Sequence, residues 1–283
     1  LGKADLHTHT TASDGACSPA ELIELAFAKK LEAISITDHD TLKGYDAAES
    51  LASERGIKLI PGVEITTIID TKEVHILAYG FDPANDSIRN LMRSQRKARN
   101  NRMEQIVHQL KKQGVDISID EVKAEARMGN LGRPHLAKVM VNKKIVASIG
   151  EAFIRYISSE KLTDLEINYA SFDHVVKNVR EAGGATVLAH PVVYSSDSMI
   201  ESLIDAGLDG IECIHPSHNY DAQKKYTSIA EKRGLLVTGG SDFHGNREDY
   251  DAYFGIVTLS MQRLANLERV TSRRKVKEST SLI

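Results

Sequence analysis

Histidines and carboxylates recur along this chain in short clusters whose residue types suit metal chemistry. Ala4-Asp5-Leu6-His7-Thr8-His9 sets two histidines two residues apart, which turns both rings to one side of an extended segment. Asp14 follows, and further on come His39 within Thr37-Asp38-His39-Asp40, then Glu64, His75, His190 and the pair Asp242 and His244. A lone histidine in a loop is ordinarily a surface or hydrogen-bonded residue. Six histidines and three acids together point elsewhere. Imidazole and carboxylate are the ligands that zinc, manganese and iron prefer, whereas the same groups crowded without a cation would carry unpaired charge at a high desolvation cost. His7, His9, Asp14, His39, Glu64, His75, His190, Asp242 and His244 exceed the roughly four to six positions of one ion. Two or three divalent ions sharing a carboxylate are expected.

A second group of residues suits anion binding. In Gly132-Arg133-Pro134-His135 the proline starts a helix, and an arginine beside a free helix N-terminus is an anion site, so Arg133 is a candidate phosphate ligand. His215 and His218 follow a strand and are candidates for substrate contact. Arg93, Arg96, Arg99 and Arg102 recur every three residues and read as a solvated basic stripe, and His108 and His174 as surface residues.

The elements that must position these residues are legible as alternation. Seven short apolar runs are read as strands: Lys3 to Leu6, Ala33 to Thr37, Lys58 to Val63, Val74 to Tyr79, Ala185 to Ala189, Gly210 to Ile214 and Leu235 to Thr238. Amphipathic segments separate most of them, the pattern of βα units feeding a mostly parallel sheet or barrel. In a βα barrel the C-terminal strand ends converge on one face. His7 and His9, His39, Glu64, His190 and the Asp242-His244 segment all fall at such ends, and His75 lies on the fourth strand. Ser18, Pro19 and Glu21 spell a helix start with a capping box, ahead of an apolar face of Leu22, Leu25 and Ala26. A second helix from Lys43 to Arg55 stops at Gly56. Between Pro83 and Ala170 the rhythm becomes polar and helical, with helices expected over Asp86 to Gln113, Ile119 to Arg127, Pro134 to Asn142 and Glu151 to Ser158. The expected organisation is a barrel domain of residues 1–82 and 171–265, a helical insertion of 83–170, and a polar tail of 266–283 that frays.

Composition bounds the rest. A net charge of −3 without a long single-sign block argues against gripping long nucleic acid by bulk charge. Cys17 and Cys213 are far apart, which argues against a disulfide framework or a thiolate zinc site and fits a reducing cytoplasm. No apolar stretch approaches the roughly 20 residues that span a bilayer, and no basic-then-apolar leader is present. No membrane association and no obligate protein partner are expected.

Ala4 to His9, Asp14-Gly15, Thr37 to Asp40, Pro61-Gly62-Val63-Glu64, Ala189-His190-Pro191 and Ser241 to His244 resemble, in order, the motifs of the polymerase and histidinol phosphatase (PHP) family. The resemblance implies an α/β fold, a distorted seven-stranded (β/α)7 barrel with a trinuclear metal centre. One ion would take His7, His9, Glu64 and Asp242; a second would share Glu64 with His75 and His190; a third would take Asp14, His39 and His244. Many relatives have histidine where Asp14 stands; the aspartate here favours a harder ion such as manganese over zinc or iron(II). The insertion and Gly132-Arg133-Pro134-His135 are similar to the subgroup that removes the 3′-phosphate of nucleoside 3′,5′-bisphosphates and, in some members, trims short RNA. There Arg133 and His135 would face the substrate phosphate. The implied reaction is in-line attack of a metal-activated water on phosphorus. Alternatives are a general or histidinol phosphate-type phosphomonoesterase and a non-catalytic metal-binding regulatory protein. An amidohydrolase would usually carry a bridging lysine at a strand end, and none of these strand ends offers one.

Overall fold

The computed structural model describes residues 3–69, 72–127, 129–162, 165–193, 196–245 and 251–281. Nine strands are formed among them: β1 (Lys3–Asp5), β2 (Ala33–Ile34), β3 (Lys58–Leu59), β4 (Gly62–Ile69), β5 (Lys72–Tyr79), β6 (Ala185–Leu188), β7 (Gly210–Ile214), β8 (Leu236–Gly239) and β9 (Leu259–Ser260). They make two mixed sheets, ordered β3-β2-β1-β9 and β4-β5-β6-β7-β8. The sequence predicts seven strands in one closed barrel; the ladders of the described residues close no barrel. The sheets meet instead through single bridges, Thr8 to Phe243 on one flank and His39 to Glu64 on the other.

Local chemistry explains both departures. The run from Lys58 to Val63 is interrupted at Pro61, which has no N–H for a ladder; Ile60 still donates to Ile34 of the first sheet, while Pro61 accepts from Gly80 beside the second. The chain changes sheets there. Only two residues separate β4 from β5, too few for a crossover, so these strands pair antiparallel. β5 is antiparallel to β6 as well. It therefore presents its first residues, not its last, where the parallel strands β6, β7 and β8 present their C-terminal ends. Glu64 likewise stands third in β4 rather than at a strand end.

The helices follow the expected signals closely. In α1 (Pro19–Ala28) Ser18 and Glu21 form the capping box, but Ile23 takes the buried position expected of Leu25, which is 38% exposed. α2 (Lys43–Glu54) ends before Gly56, whose φ of +67° suits a residue without a Cβ. Together α1 and α2 cover the first sheet through Leu22, Ile23, Ala48 and Ala52. α3 (Asp86–Lys112), α4 (Ile119–Ala126), α5 (Arg133–Asn142) and α6 (Ile149–Ala152), the last continued by a π-turn over Phe153–Ile157, build a separate apolar core around Ile106, Leu110, Leu136 and Met140. The start of α3 belongs elsewhere: Ile88, Leu91 and Met92 pack with α7 (Phe172–Glu181), α8 (Asp197–Asp205) and α9 (Tyr220–Lys232) against the second sheet.

Within the expected polar tail the described residues, through Ser281, form one helix. α10 (Met261–Ser281) seats Leu264 and Leu267 in the core between the sheets, and Arg274 grips Asp209 at 2.6 and 2.9 Å. Met261 and Val270 pack against the same core, half-buried. No helix of the described residues is long and apolar enough to cross a membrane.

Candidate metal centre and substrate cleft

The nine predicted donors converge at the rim where the two sheets meet. His7 and His9 leave β1, His39 follows β2, Glu64 and His75 face each other from the β4–β5 hairpin, His190 follows β6, and Asp242 and His244 follow β8. His7 Nε2 and His9 Nε2 each lie 3.3 to 3.4 Å from Glu64 Oε2 and from Asp242 Oδ1. Ligands about 2.0 to 2.1 Å from a tetrahedral ion stand about 3.3 to 3.4 Å from one another, so these four atoms have the spacing of one coordination shell. His7 Nε2, His9 Nε2 and His39 Nδ1 are buried and form no hydrogen bond. The donor set thus fits a divalent cation by both spacing and unspent lone pairs.

Two further groups adjoin this one. Glu64 Oε1 is 2.9 Å from His75 Nδ1 and 3.0 Å from His190 Nε2, so the two oxygens of Glu64 face different sets of histidines, Oε1 the pair His75 and His190 and Oε2 the three rings of His7, His9 and His39, as a shared carboxylate must. Asp14 lies 3.5 Å from His244 Nε2 and 3.8 Å from His39 Nε2. His39 also reaches Glu64 at 3.2 Å, and His9 Nδ1 stands 3.8 Å from Asp14. Burial works against charge on Glu64, Asp14 and Asp242, but the surrounding histidines hold all three carboxyls well below their usual range. Burial likewise opposes charge on His9, yet Asp242 and Glu64 raise it to about 10. Three ionised carboxylates packed this closely call for cations, supplied either by protonated rings or by bound metal.

Around the donors stands a layer that sequence reasoning missed. Glu212 accepts from His7 Nδ1 at 2.9 Å and from the His190 amide at 2.8 Å, the outer carboxylate that fixes a ligating imidazole. Asp38 accepts from Thr10 N, Thr10 Oγ1 and Ser13 Oγ, which shapes the turn delivering Asp14. A Cβ on Gly15 would meet the His9 carbonyl oxygen at 2.5 Å, so that turn admits no side chain there. Asp40 binds Arg99 Nε and Nη2 together with Thr66 N and Oγ1. His190, Asp242 and Asp40 hold positive φ without being glycine, backbone strain of the kind found where function over-determines a loop. Signals existed for two of these residues: Glu212 is an acid inside the apolar run Gly210 to Ile214, and a buried charge needs a partner. Arg99 lies in register with Met92, Gln95, Arg102 and Ile106, the inward face of α3 at helical spacing.

A cleft of about 1260 Å³ opens over the donors, with the insertion as its far wall. Arg133 and His135 line it, as expected of them. Arg133 donates to Ser159 Oγ at 3.1 Å and approaches Glu73 at 3.4 Å, and His135 Nδ1 accepts from the Gly132 amide, which leaves Nε2 as the ring's donor. The basic stripe is divided: Arg93 and Arg96 are exposed, but Arg99 and Arg102 are buried and face the cleft, so the solvated reading fails for that half. Burial works against the Glu73 charge, yet Arg133, His75 and Arg102 hold its carboxyl well below the usual range. His215 lines the cleft 3.5 Å from Asp242. His218 stands behind it, its Nδ1 donating to the Cys213 carbonyl, and is not part of the lining. His108 and His174 are exposed.

A family model described as PHP domain matches residues 5–282. The chain is 35% identical over 247 residues to the 5′-3′ exoribonuclease of Haemophilus influenzae, covering 86% of this chain and 90% of that protein. It is 32% identical over 254 residues to the 3′,5′-nucleoside bisphosphate phosphatase of Chromobacterium violaceum, covering 88% and 89%. A solved structure from Bifidobacterium adolescentis, described as a metal-dependent phosphoesterase, superimposes with a TM-score of 0.84 at 32% identity over 94% of this chain and 96% of that one.

Proposed function

The chain belongs to the PHP domain family and is a phosphoric ester hydrolase, and from that premise we propose that it removes the 3′-phosphate of nucleoside 3′,5′-bisphosphates and trims short 5′-phosphorylated RNA. The observation that carries this reading is the arrangement of the cleft: a buried histidine and carboxylate cluster on one wall faces two arginines, Arg102 and Arg133, on the other. A substrate with one phosphate needs only the first wall. A second phosphate finds its counter-charge on the other.

His7, His9, Glu64 and Asp242 would hold one ion, Glu64 with His75 and His190 a second, and Asp14, His39 and His244 a third. Manganese is the proposed metal, ahead of zinc and iron(II). Such ions supply a water nucleophile with a pKa lowered toward ~7 and neutralise charge on the phosphoryl oxygens. Arg133 clamps a phosphate through its fork of N–H donors, which match phosphate oxygens bidentately. His135 offers Nε2–H beside it, and His215 borders the same space near Asp242. The cleft walls keep these donors in a partly desolvated setting, where each charge-assisted bond counts for more than in water. Both cysteines are free, which suits a reducing cytoplasm, the proposed location.

Hydrolysis rates with added manganese on adenosine 3′,5′-bisphosphate, AMP, histidinol phosphate and a short 5′-phosphorylated RNA test the substrate. The bisphosphate is expected to lead, with RNA second. Equal low rates on all four would remove the nucleotide assignment, and a lead for histidinol phosphate would replace it.

A further inference from the structure

Glu73 stands outside the donor cluster yet touches both walls of the cleft. Its Oε1 lies 3.8 Å from His75 Nε2, while Oε2 lies 2.7 Å from Arg102 Nη2 and 3.4 Å from Arg133 Nη2. The other ring nitrogen of His75 is 2.9 Å from Glu64. One side chain, 11% exposed, therefore spans the step from the donor cluster to the arginine pair. Two guanidinium groups sharing one carboxylate oxygen would repel each other without it. Donors remain unspent around them: Arg102 Nε and the Tyr169 hydroxyl are buried without a hydrogen-bond partner, and both residues line the cleft. Buried donors without partners are costly in an empty site and favourable once an anion arrives.

We infer that Glu73 is a positioning residue that fixes the separation between the phosphate being hydrolysed and a second phosphate of the same substrate, and so makes the enzyme discriminate 3′,5′-bisphosphates from 3′-monophosphates. The inference rests on the nucleotide reading above. A carboxylate carries two oxygens at fixed spacing; here Oε2 holds both arginines and Oε1 faces His75 at 3.8 Å, so a shift of one subsite is felt at the other. Glu73 and His75 are two residues apart on β5 and project from the same face. That strand is paired to β4 along its whole length, Glu73 and His75 included, and from Ile76 onward to β6 as well.

The test measures kcat and KM for adenosine 3′,5′-bisphosphate and adenosine 3′-monophosphate in the manganese-loaded enzyme, with metal content determined on each preparation. The wild type is expected to prefer the bisphosphate. Glu73→Gln keeps the shape but not the charge, and should cut that preference about tenfold, chiefly by raising KM for the bisphosphate. Monophosphate kcat/KM should fall by much less, because that substrate does not span both subsites. Glu73→Asp keeps the charge on a shorter arm and should lower the preference in the same direction, which preserves the test if the glutamine variant folds poorly. A preference retained in both variants would overturn the role of Glu73, as would equal losses on both substrates accompanied by lost metal. A wild-type ratio near one would instead overturn the substrate reading beneath it.

Discussion

On the sheet side of the cleft the candidate donors are held by strands, bridges and buried carboxylates: Glu212 braces His7 and Asp38 draws in the Asp14 turn, while Asn130 reaches over from the insertion to the carbonyls of His39 and Asp40. On the insertion side Arg133 and His135 ride on the first turn of α5, with Ser159, Glu73 and one amide as their partners. The apolar core beneath that helix is separate from the cores of the sheets. A rigid wall built for charge thus faces a lighter wall that is joined to it at few points, chiefly Glu73 on β5, and Arg99 and Asn130 of the insertion. Under the proposed function, reaction class and substrate choice rest mainly on different walls, and variants on the two should fail in different ways.

The most severe break is on the rigid wall. The double change His7→Ala with His9→Ala should reduce both bound metal, read by elemental analysis, and phosphate release to background; hydrolysis retained in that variant would remove the proposed centre. One layer out, Glu212→Gln leaves every donor in place but releases the His7 ring and the His190 amide, and should cost about 10- to 100-fold in metal affinity or activity on every substrate alike. A loss confined to one substrate would move Glu212 to the other wall. On that lighter wall, Arg133→Met should raise KM for the bisphosphate roughly tenfold or more while metal content holds. If metal fell too, the division between the walls would not stand.

The smallest effect is expected far from both walls, where Arg274 binds Asp209. Burial raises the Asp209 carboxyl, but Arg274, the Thr186 amide and Arg180 outweigh it and hold it below its usual value. A depressed folded pKa gives stability that is present above the unfolded value near ~3.9 and lost as pH falls through the folded one. Arg274→Met should therefore cost about 1 kcal/mol by denaturant titration at neutral pH and converge on the wild type in acid, with kcat unchanged. A cost independent of pH would assign the docking of α10 to Leu264 and Leu267 alone.

Much of this is legible in the sequence alone. The capping box at Ser18, the stop at Gly56 and the helices of the insertion are local events, decided by side chains competing with the backbone over a few residues. The nine donors could be found because each chemistry-bearing residue lies in a short motif near a strand. What stayed hidden depends on partners distant in sequence. Glu73 lies just before the expected strand Val74 to Tyr79, and its place shows only when His75 and Arg102 are brought beside it, as that of Glu212 does beside His7. Arg99 reads as solvated until Asp40 supplies a buried counter-charge, and the tail reads as loose until Arg274 meets Asp209.

The sequence by itself determined which residues could bind metal and phosphate, because those abilities reside in the side chains and in spacings of two to four residues. Only the tertiary structure decided how Glu64 is shared, which arginines turn inward, and that the strands stop short of a closed barrel. The reason is physical: coordination shells and ion pairs form over about 2 to 4 Å, and whether two groups come that close is set by strand pairing and sheet exchange. His7 and His9 carry their chemistry with them. Glu73 acquires its place only when β5 runs antiparallel into the cleft.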